Sequence, residues 1–163
     1  MAEIRRYRPG DEETLSRLLR RTLMEVNANF CPAAEMDWLY NRYTPEGVAE
    51  IAGKGHMFVL EEDGKVVGTG TTILTGEDEC EIIAAFLLPE YIGRGLGRQL
   101  FAALESDELA ANANRIWLTS PVNALDFYEK AGYQYVYGYR QRGGEMHLLE
   151  MEKRKQETRL LPI

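Results

Sequence analysis

Residues 80–119 constrain the fold more than any other part of the chain. They begin with an apolar run, CEIIAAFLL, which is typical of a strand covered on both faces and which ends at Pro89. The glycine-rich stretch YIGRGLGRQL follows, and a helical repeat of apolar residues continues from Arg94 to about Ala113. The run RIWLT then predicts a second buried strand. Strand, helix and strand in this order predict two parallel neighbours joined by a right-handed crossover.

The N-terminal part of the chain combines one short strand with helices. A strand is predicted over Ile4–Tyr7, and apolar residues recur at helical spacing over residues 15–26. Residues 27–43 contain a further short helix, and Thr44 and Pro45 have the residue types that cap and begin a third. The first third of the chain is therefore predicted to be mainly helical.

Strands and one helix are predicted for the remaining segments. The runs HMFVLEE and VVGTGTTIL flank an Asp-Gly pair, which predicts an antiparallel hairpin. Ser120 and Pro121 are expected to cap and begin a helix that ends at Gly132, and YQYVYGY and EMHLLEM predict a final pair of strands. We predict a single α/β (α+β) domain over residues 1–152, followed by a charged tail over residues 153–163.

Composition narrows the class of protein. A chain of 163 residues is the size of one ordinary domain, and its net charge of −7 argues against a nucleic-acid binder, which needs a basic face. No apolar run approaches the roughly 18 residues that a membrane span needs, and no secretory signal is apparent, so we expect a cytoplasmic protein. Cys31 and Cys80 lack the spacing of a metal site or redox pair, and no metal is predicted.

The glycine-rich stretch has the features of an anion site. A helix N-terminus leaves about four backbone N–H groups without partners and carries roughly half a positive charge. Gly93, Gly95 and Gly97 would let a ligand approach those amides, and Arg94 and Arg98 would add charge suited to phosphate oxygens. The stretch therefore predicts a diphosphate site, although a glycine-rich turn without a ligand remains an alternative.

Two nucleotide-binding patterns fit this stretch poorly. A dinucleotide fingerprint requires GxGxxG, whereas Arg98 stands where the third glycine should be. A nucleotide P-loop requires GxxxxGK followed by Ser or Thr, which the chain does not contain.

The segment CEIIAAFLLPEYIGRGLGRQLFAAL together with NALDFYEKAGY resembles the GNAT superfamily of N-acetyltransferases, which use acetyl-coenzyme A. In that family a central strand ending near a proline runs into the pattern Q/R-x-x-G-x-G/A, and residues 95–97 supply the G-x-G. Ile92 stands at the usual Gln or Arg position, so a polar contact near the pyrophosphate is missing, and Arg94 and Arg98 are the residues that would compensate. The family's downstream Asn, Phe-Tyr pair and Gly-aromatic pair are matched by Asn123, Phe127, Tyr128, Gly132 and Tyr133.

The resemblance implies the GNAT fold, a mixed and mostly antiparallel sheet with splayed central strands flanked by helices. It implies that the pantetheine arm of acetyl-coenzyme A lies between the splayed strands and that one backbone N–H polarises the thioester carbonyl, a contact whose loss typically costs ~3 kcal/mol. The residues implied in cosubstrate binding are Phe86, Leu87, Leu88, Gly93, Arg94, Gly95, Leu96, Gly97, Arg98 and Asn123. Asn123 could equally bond its local backbone.

Two catalytic residues are implied as well. The attacking amine must be neutral, and a lysine-like amine has a pKa of about 10.4, so a base is needed. Glu81 stands where many family members carry a glutamate that acts through water, with a solvated carboxylate as the alternative and Glu79 as the second candidate. Tyr128 is implied as the acid that protonates the leaving thiolate, with a satisfied core tyrosine as the alternative.

The resemblance therefore implies an N-acetyltransferase that moves acetyl to a primary amine by direct attack in a ternary complex. A small amine or polyamine suits the acidic charge, while a protein N-terminus or a lysine remains open. The alternative function is a non-catalytic module that senses coenzyme A or acyl-coenzyme A, and a homodimer through the segment QRGGEMHLLEMEK is left open. Aromatic residues that could line an acceptor pocket are Trp38, Tyr40, Tyr43, Tyr135, Tyr137 and Tyr139.

Overall fold

The computed structural model describes residues 2–137 and 148–155. The strands are β1 (Ala2–Arg6), β2 (His56–Glu62), β3 (Lys65–Gly76), β4 (Glu79–Leu87), β5 (Arg115–Pro121), β6 (Gln134–Tyr135) and β7 (Leu148–Arg154). The helices are α1 (Glu12–Thr22), α2 (Ala33–Arg42), α3 (Pro45–Lys54), α4 (Leu96–Ser106), α5 (Glu108–Ala111) and α6 (Leu125–Lys130). A π-helical turn, Leu23–Asn27, extends α1, and 3-10 turns cover Pro89–Tyr91 and Val122–Ala124.

The described strands form one sheet in the order β1-β2-β3-β4-β5-β7-β6. All neighbours are antiparallel except β4 and β5, so the sheet is mixed and mostly antiparallel, as predicted. The parallel relation of β4 and β5 confirms the crossover inferred from the order of strand, helix and strand. The hairpin of β2 and β3 is also confirmed.

The two central strands separate soon after they meet. β4 and β5 pair at only three positions, and the last of these joins Glu81 to Trp117. Beyond Glu81, β4 continues to Leu87 with β3 as its neighbour, whereas β5 continues beside β7. This separation is the splay that the family resemblance implied, and it exposes one backbone edge of β4.

A bulge in β4 bends the strand at the splay. Between Ile83 and Phe86 the strand has one residue more than β3 has between Thr71 and Thr69. Ala84 takes a left-handed conformation, with φ of 50°, which is uncommon for a residue with a side chain. Bulges of this kind bend the bulged strand and increase its twist, so β4 turns away from the line of β5.

The helices cover the sheet with apolar residues at helical spacing. α1 buries Leu15, Leu18 and Leu19 and packs on β3, β4 and α3. α4 buries Leu100 and Leu104, and a Cβ on Gly70 of β3 would lie only 2.7 Å from the Leu104 side chain. Because glycine occupies that position, α4 can approach the sheet closely.

Two predicted helix boundaries were wrong. The helix expected to run to Ala113 stops at Ser106, because Asp107 is extended, with ψ of 146°, and its carboxylate accepts from the Leu109 amide to begin α5. The same carboxylate bonds Thr72 at 2.8 Å and His56 at 2.9 Å, so contacts distant in sequence select this conformation.

Ser120 and Pro121 do not begin a helix. They are the last residues of β5, where they pair with Leu149 and Leu148 of β7, and α6 begins only at Leu125. By contrast, Thr44 caps α3 as predicted, because its hydroxyl accepts from the Gly47 amide at 3.0 Å.

The C-terminal predictions fall partly outside the described residues. β6 and β7 pair antiparallel, which confirms the last two strands over Gln134–Tyr135 and Leu148–Arg154, while residues 138–147 and 156–163 lie outside. β7 extends to Arg154 and so includes the first two residues of the predicted tail. Within the described ranges, no helix combines the length and the apolar character that crossing a bilayer requires.

Candidate active site

The glycine-rich stretch forms an open turn between β4 and α4. Gly93 and Gly95 have φ angles of 85° and 81°, in the left-handed region that favours glycine. A Cβ built on either residue would meet no atom within 4 Å, so the space beside this backbone is open. Glycine therefore suits both positions because of the left-handed backbone conformation, and the backbone of the turn is accessible.

A run of amides in this turn has no acceptor inside the described protein. The Tyr91 amide donates to the Leu88 carbonyl at 2.9 Å, and the Ile92 amide donates to the Pro89 carbonyl at 3.3 Å. From residue 93 to residue 98, no backbone or side-chain acceptor in the described ranges takes the amide protons. Helix α4 begins at Leu96, so these donors lie at the positive end of its dipole. Such an arrangement suits phosphate oxygens.

Gly97 has a different physical role from the other two glycines. Its φ is not positive, and a Cβ there would lie 3.1 Å from the Phe127 ring. Phe127 belongs to α6, so Gly97 permits α4 and α6 to pack closely. The three glycines therefore differ in role. Gly93 and Gly95 leave open space for a ligand, as the sequence predicted, whereas Gly97 allows two helices to pack closely. The Gly97 amide still has no acceptor among the described residues.

The side chains around the turn supply positive charge. Arg94 and Arg98 are exposed, and the Arg94 guanidinium lies 5.0 Å from the centre of the Tyr91 ring. The first turn of α4 contains no acidic residue that would compete for these donors. Ile92, at the family's Gln or Arg position, is 55% exposed and offers no polar atom.

At the free edge of β4, the backbone groups of Leu87 point away from β3, toward the gap between the splayed strands. The Leu88 amide donates to the Val67 carbonyl of β3 at 2.8 Å, so the backbone groups of Leu88 point toward β3. Successive residues of a paired strand turn their backbone groups to opposite edges, which directs the N–H and C=O of Leu87 away from β3. Phe86 is paired with Thr69, and its ring packs edge-on against Tyr43 with 5.8 Å between ring centres.

Glu81 lies at the point where the strands diverge. It is the last residue of β4 that pairs with β5, and its side chain is half-buried. Burial raises the pKa of the Glu81 carboxyl, an effect that the Arg42 charge opposes and the Glu150 charge reinforces. No described side chain forms an ion pair with it, whereas Glu79, the second candidate, lies 3.6 Å from the Arg115 guanidinium. A carboxylate with a raised pKa and no bound cation is suited to accept a proton.

Tyr128 lies in an aromatic cluster that joins α4 and α6. Its ring packs edge-on against Phe101, Phe127 and Tyr133, with ring centres 5.2 to 5.8 Å apart. The residue is buried, and this burial raises the pKa of its phenol. Unlike the hydroxyl of Tyr133, which donates to Glu105 at 2.8 Å, the Tyr128 hydroxyl has no partner among the described residues.

The remaining predicted residues are spread around the site. Asn123 lies exposed in the 3-10 turn before α6, and its side chain bonds no described backbone group. Tyr43 is a core residue, Tyr135 bonds Glu129, and Tyr137 is exposed. Tyr139 lies outside the described residues.

Sequence reasoning missed Arg42, the last residue of α2. Its guanidinium lies 5.4 Å from the centre of the Trp38 ring, and its charge acts on Glu81. The spacing of four between Trp38 and Arg42 places both on one helix face, which was visible in the sequence. The action of the Arg42 charge on Glu81 was not visible, because it depends on contacts between parts of the chain that are distant in sequence.

The sequence of this chain was compared with the sequence profiles of known protein families. The profile of the acetyltransferase (GNAT) family matches residues 19–133. The chain belongs to the GNAT acetyltransferase family. Membership accounts for the splayed strands and the glycine turn, and it supports an N-acyltransferase that uses an acyl-coenzyme A.

Two relatives from Bacillus subtilis (strain 168) are similar in sequence. The chain is 28% identical over 157 residues to an S-alkylcysteine N-acetyltransferase, a match that covers 88% of this chain and 85% of the relative. It is 35% identical over 79 residues to the protein YdhI, a match that covers 47% of this chain and 48% of YdhI. The chain thus spans about half the length of YdhI and most of the length of the S-alkylcysteine N-acetyltransferase.

The fold is similar to that of a solved N-acetyltransferase. PaiA from Thermoplasma acidophilum, whose crystal structure contains coenzyme A, superimposes with a TM-score of 0.79. The sequences are 19% identical, and the match covers 94% of this chain and 99% of PaiA. At this identity the likeness confirms the GNAT fold.

Proposed function

We propose that this chain transfers the acetyl group of acetyl-coenzyme A to the primary amine of a small molecule by direct attack in a ternary complex. The observation that carries the proposal is the run of amides over residues 93–98 that no described acceptor takes, in the turn that follows the splayed end of β4. The site thus offers hydrogen-bond donors for an anion together with a free strand edge. Coenzyme A requires both, because it carries a diphosphate and an amide-containing arm that ends in a thiol.

The turn and the strand edge would bind different parts of the cosubstrate. The amides of residues 93–98 with Arg94 and Arg98 would bind the diphosphate through charge-assisted hydrogen bonds. The backbone groups of Leu87 would bond the amide-containing arm as a neighbouring strand would, whereas Phe86 and Leu88, which the sequence analysis also assigned to this arm, direct their backbone groups to β3. The Asn123 side chain would donate or accept a hydrogen bond at the same arm. Acetyl-coenzyme A supplies the activated acyl carbon, as a thioester.

Glu81 would remove the proton that blocks attack. An amine with a pKa of about 10.4 is protonated at pH 7, and deprotonating it costs roughly 4–5 kcal/mol. Glu81, with the raised pKa that burial gives it, would accept this proton through a water molecule. The amine nitrogen then forms its bond to the acyl carbon.

Tyr128 would act on the leaving group. As the carbon–sulfur bond breaks, its hydroxyl would donate to the sulfur and pass its proton to the thiolate. The attacking nitrogen loses a second proton as the amide forms, and this proton restores the phenol, while the first proton, accepted by Glu81, is released to solvent, so that protons and charge balance over the cycle. Burial raises the pKa of Tyr128, so the phenol is protonated when the thioester binds.

The relatives support a small acceptor. The S-alkylcysteine N-acetyltransferase matches most of both chains, and its name denotes a small molecule with a primary amine. The acidic net charge of −7 would raise the local concentration of an amine that carries positive charge. A small-molecule amine is therefore the acceptor class we propose.

Release of free thiol by the purified chain over a panel of amines tests the proposal. Tyr128→Phe should lower kcat by about 10²-fold or more while leaving coenzyme A affinity nearly unchanged. Tyr7→Phe removes a hydroxyl bonded to Glu12 next to the edge strand β1, which β2 and β3 separate from β4, so it is the matched control and should retain full turnover. Binding of coenzyme A without thiol release from any amine would instead favour the sensor function, and normal turnover by Tyr128→Phe would refute its role as the acid.

A further inference from the structure

Trp117 of β5 reaches across the strand that carries Glu81. The strand β4 lies between β5 and β3, yet the Trp117 indole N–H donates to the Thr75 hydroxyl of β3 at 2.9 Å. Trp117 and Glu81 are direct partners in the parallel pair. Because neighbouring strands lie about 4.8 Å apart, the two side chains leave the same face of the sheet side by side. The indole therefore lies over β4 next to Glu81.

The ring of Trp117 lies between two carboxylates of β4. Thr75 is the extra residue in an irregularity of β3 opposite Cys80 and Glu79. The bond to Thr75 thus directs the indole from the level of Glu81 toward that of Glu79. Since Glu79 and Glu81 are two residues apart on one strand, both side chains leave this face of the sheet. The ring separates the one from the other.

Arg115 binds the other glutamates of this face. The glutamates that the described parts of β4 and β7 place here are Glu79, Glu81, Glu150 and Glu152. Arg115 forms ion pairs with all of them except Glu81, and its guanidinium carbon lies 5.5 Å from the centre of the Trp117 ring. In the described chain Glu81 has no ion pair. The ring therefore lies beside the one glutamate of the four that Arg115 does not bind.

The remaining elements around Glu81 bring few charges to it. None of the residues that α1 buries against the sheet is charged, and the β3 partner of Glu81 is Ile73. Helices α4 and α5 pack on the opposite face. The Arg42 charge of α2 and the Glu150 charge of β7 act on the Glu81 carboxyl with opposite signs. Arg154 of β7 is paired with a glutamate of its own strand.

We propose that Trp117 is a positioning residue for the base, because its ring keeps the Glu81 carboxylate apart from the Arg115 guanidinium and excludes water from that side. The inference rests on the proposed acetyl transfer, in which Glu81 accepts the proton of the amine. An opposite charge within about 4–6 Å lowers the pKa of a carboxyl by about 1–3, whereas an apolar neighbour raises it by disfavouring the charged form. The ring thus preserves Glu81 as a proton acceptor.

The acid limb of the pH profile of kcat/KM measures this effect. Thiol release is followed with acetyl-coenzyme A and the best acceptor from the amine panel. Trp117→Val removes the ring and keeps a side chain that suits a strand. It should move the acid limb to lower pH by about one unit and, because the base is weaker, lower kcat/KM at neutral pH by about 3- to 10-fold. Trp117→Phe keeps a ring but loses the bond to Thr75, so its acid limb should lie between those of Trp117→Val and the native chain.

Leu74→Ala is the matched control. Leu74 precedes Thr75, is 59% exposed and pairs with Cys80, so its side chain lies on the opposite face of the sheet. Its removal should leave the acid limb unchanged. Calorimetry with coenzyme A verifies that each variant folds and binds. If Trp117→Val does not fold, Trp117→Leu, which also lacks the ring, takes its place.

A titration followed by ¹³C NMR separates this inference from acetyl transfer. The carboxyl resonance of Glu81, assigned with Glu81→Gln, reports its pKa without turnover. If that pKa is the same in Trp117→Val and the native chain, or if Leu74→Ala lowers it equally, the role of Trp117 is overturned while acetyl transfer stands. If no amine releases thiol, acetyl transfer is refuted, while a lower Glu81 pKa in Trp117→Val would still establish the effect of the ring.

Discussion

Substitution of Gly95 by alanine should separate ligand binding from backbone strain at the glycine turn. Gly95 has a φ of 81°, and a Cβ there would meet no protein atom within 4 Å. The added methyl group therefore creates no clash inside the protein. It enters the open space beside the amides of residues 93–98, where the diphosphate is proposed to bind.

The strain in this variant is measured by a matched control. A residue with a side chain in the left-handed region costs roughly 1–2 kcal/mol, so Gly95→Ala should lose about that much stability. Gly64, in the β2–β3 turn, has a φ of 79° and is equally open, so Gly64→Ala should lose stability to a similar extent. Only Gly95→Ala should also lose affinity for coenzyme A.

The loss of affinity follows from the hydrogen bonds that the methyl group obstructs. A hydrogen bond to a charged group contributes about 1.5–3 kcal/mol, so displacing one phosphate contact should weaken binding by about 10- to 150-fold. Calorimetry with coenzyme A measures the affinity, and thermal melting measures the stability. Equal coenzyme A affinity in Gly95→Ala and the native chain would refute the diphosphate site.

Gly97→Ala should give the opposite pattern. Its Cβ would lie 3.1 Å from the Phe127 ring, so α4 and α6 must move apart slightly. Overpacking of this kind typically costs about 1–3 kcal/mol, which should lower the melting temperature. We expect its coenzyme A affinity to fall less than that of Gly95→Ala, since the methyl group points into the protein. A larger fall in affinity for Gly97→Ala would contradict the division of roles.

Two further predictions concern carboxylates. Burial raises the pKa of Glu81, so kcat/KM should fall as the pH drops through a value above the ordinary glutamate pKa of about 4.3. Glu81→Gln should lower the rate by about 10²-fold, and its kcat/KM should no longer fall in this acid range. Asp107 is buried, which acts to raise its pKa, but hydrogen bonds from His56, Thr72 and the Leu109 amide outweigh this and lower the pKa. Its stabilising contribution should be present above about pH 4 and lost as the pH falls further, so Asp107→Asn should lower the melting temperature at pH 7 and have little effect in strong acid. Equal destabilisation at both pH values would contradict this.

The parts of the fold that depend on local pattern were predictable. The order of an apolar run, a glycine turn, a helical repeat and a second apolar run gave the parallel pair of β4 and β5. Pro45 and Thr44 marked the start of α3 because capping depends on residues adjacent in sequence. The glycines at 93 and 95 were recognisable for the same reason.

The parts that depend on tertiary contact were not predictable. Asp107 interrupts the predicted helix because Thr72 and His56, far away in sequence, bind its carboxylate. The bulge at Ala84 gives no local signal, since alanine rarely takes its φ of 50°. The contact of Tyr43 with Phe86 likewise joins parts of the chain that are distant in sequence.

The most direct test of the diphosphate site is a titration of the ¹⁵N-labelled chain with coenzyme A followed by NMR. If the proposal is right, the amide resonances of residues 93–98 shift strongly, and their hydrogen exchange slows, because phosphate oxygens take their protons. Saturable binding that leaves those resonances and exchange rates unchanged would show that the cosubstrate binds elsewhere, and would contradict the site on which the proposed function depends.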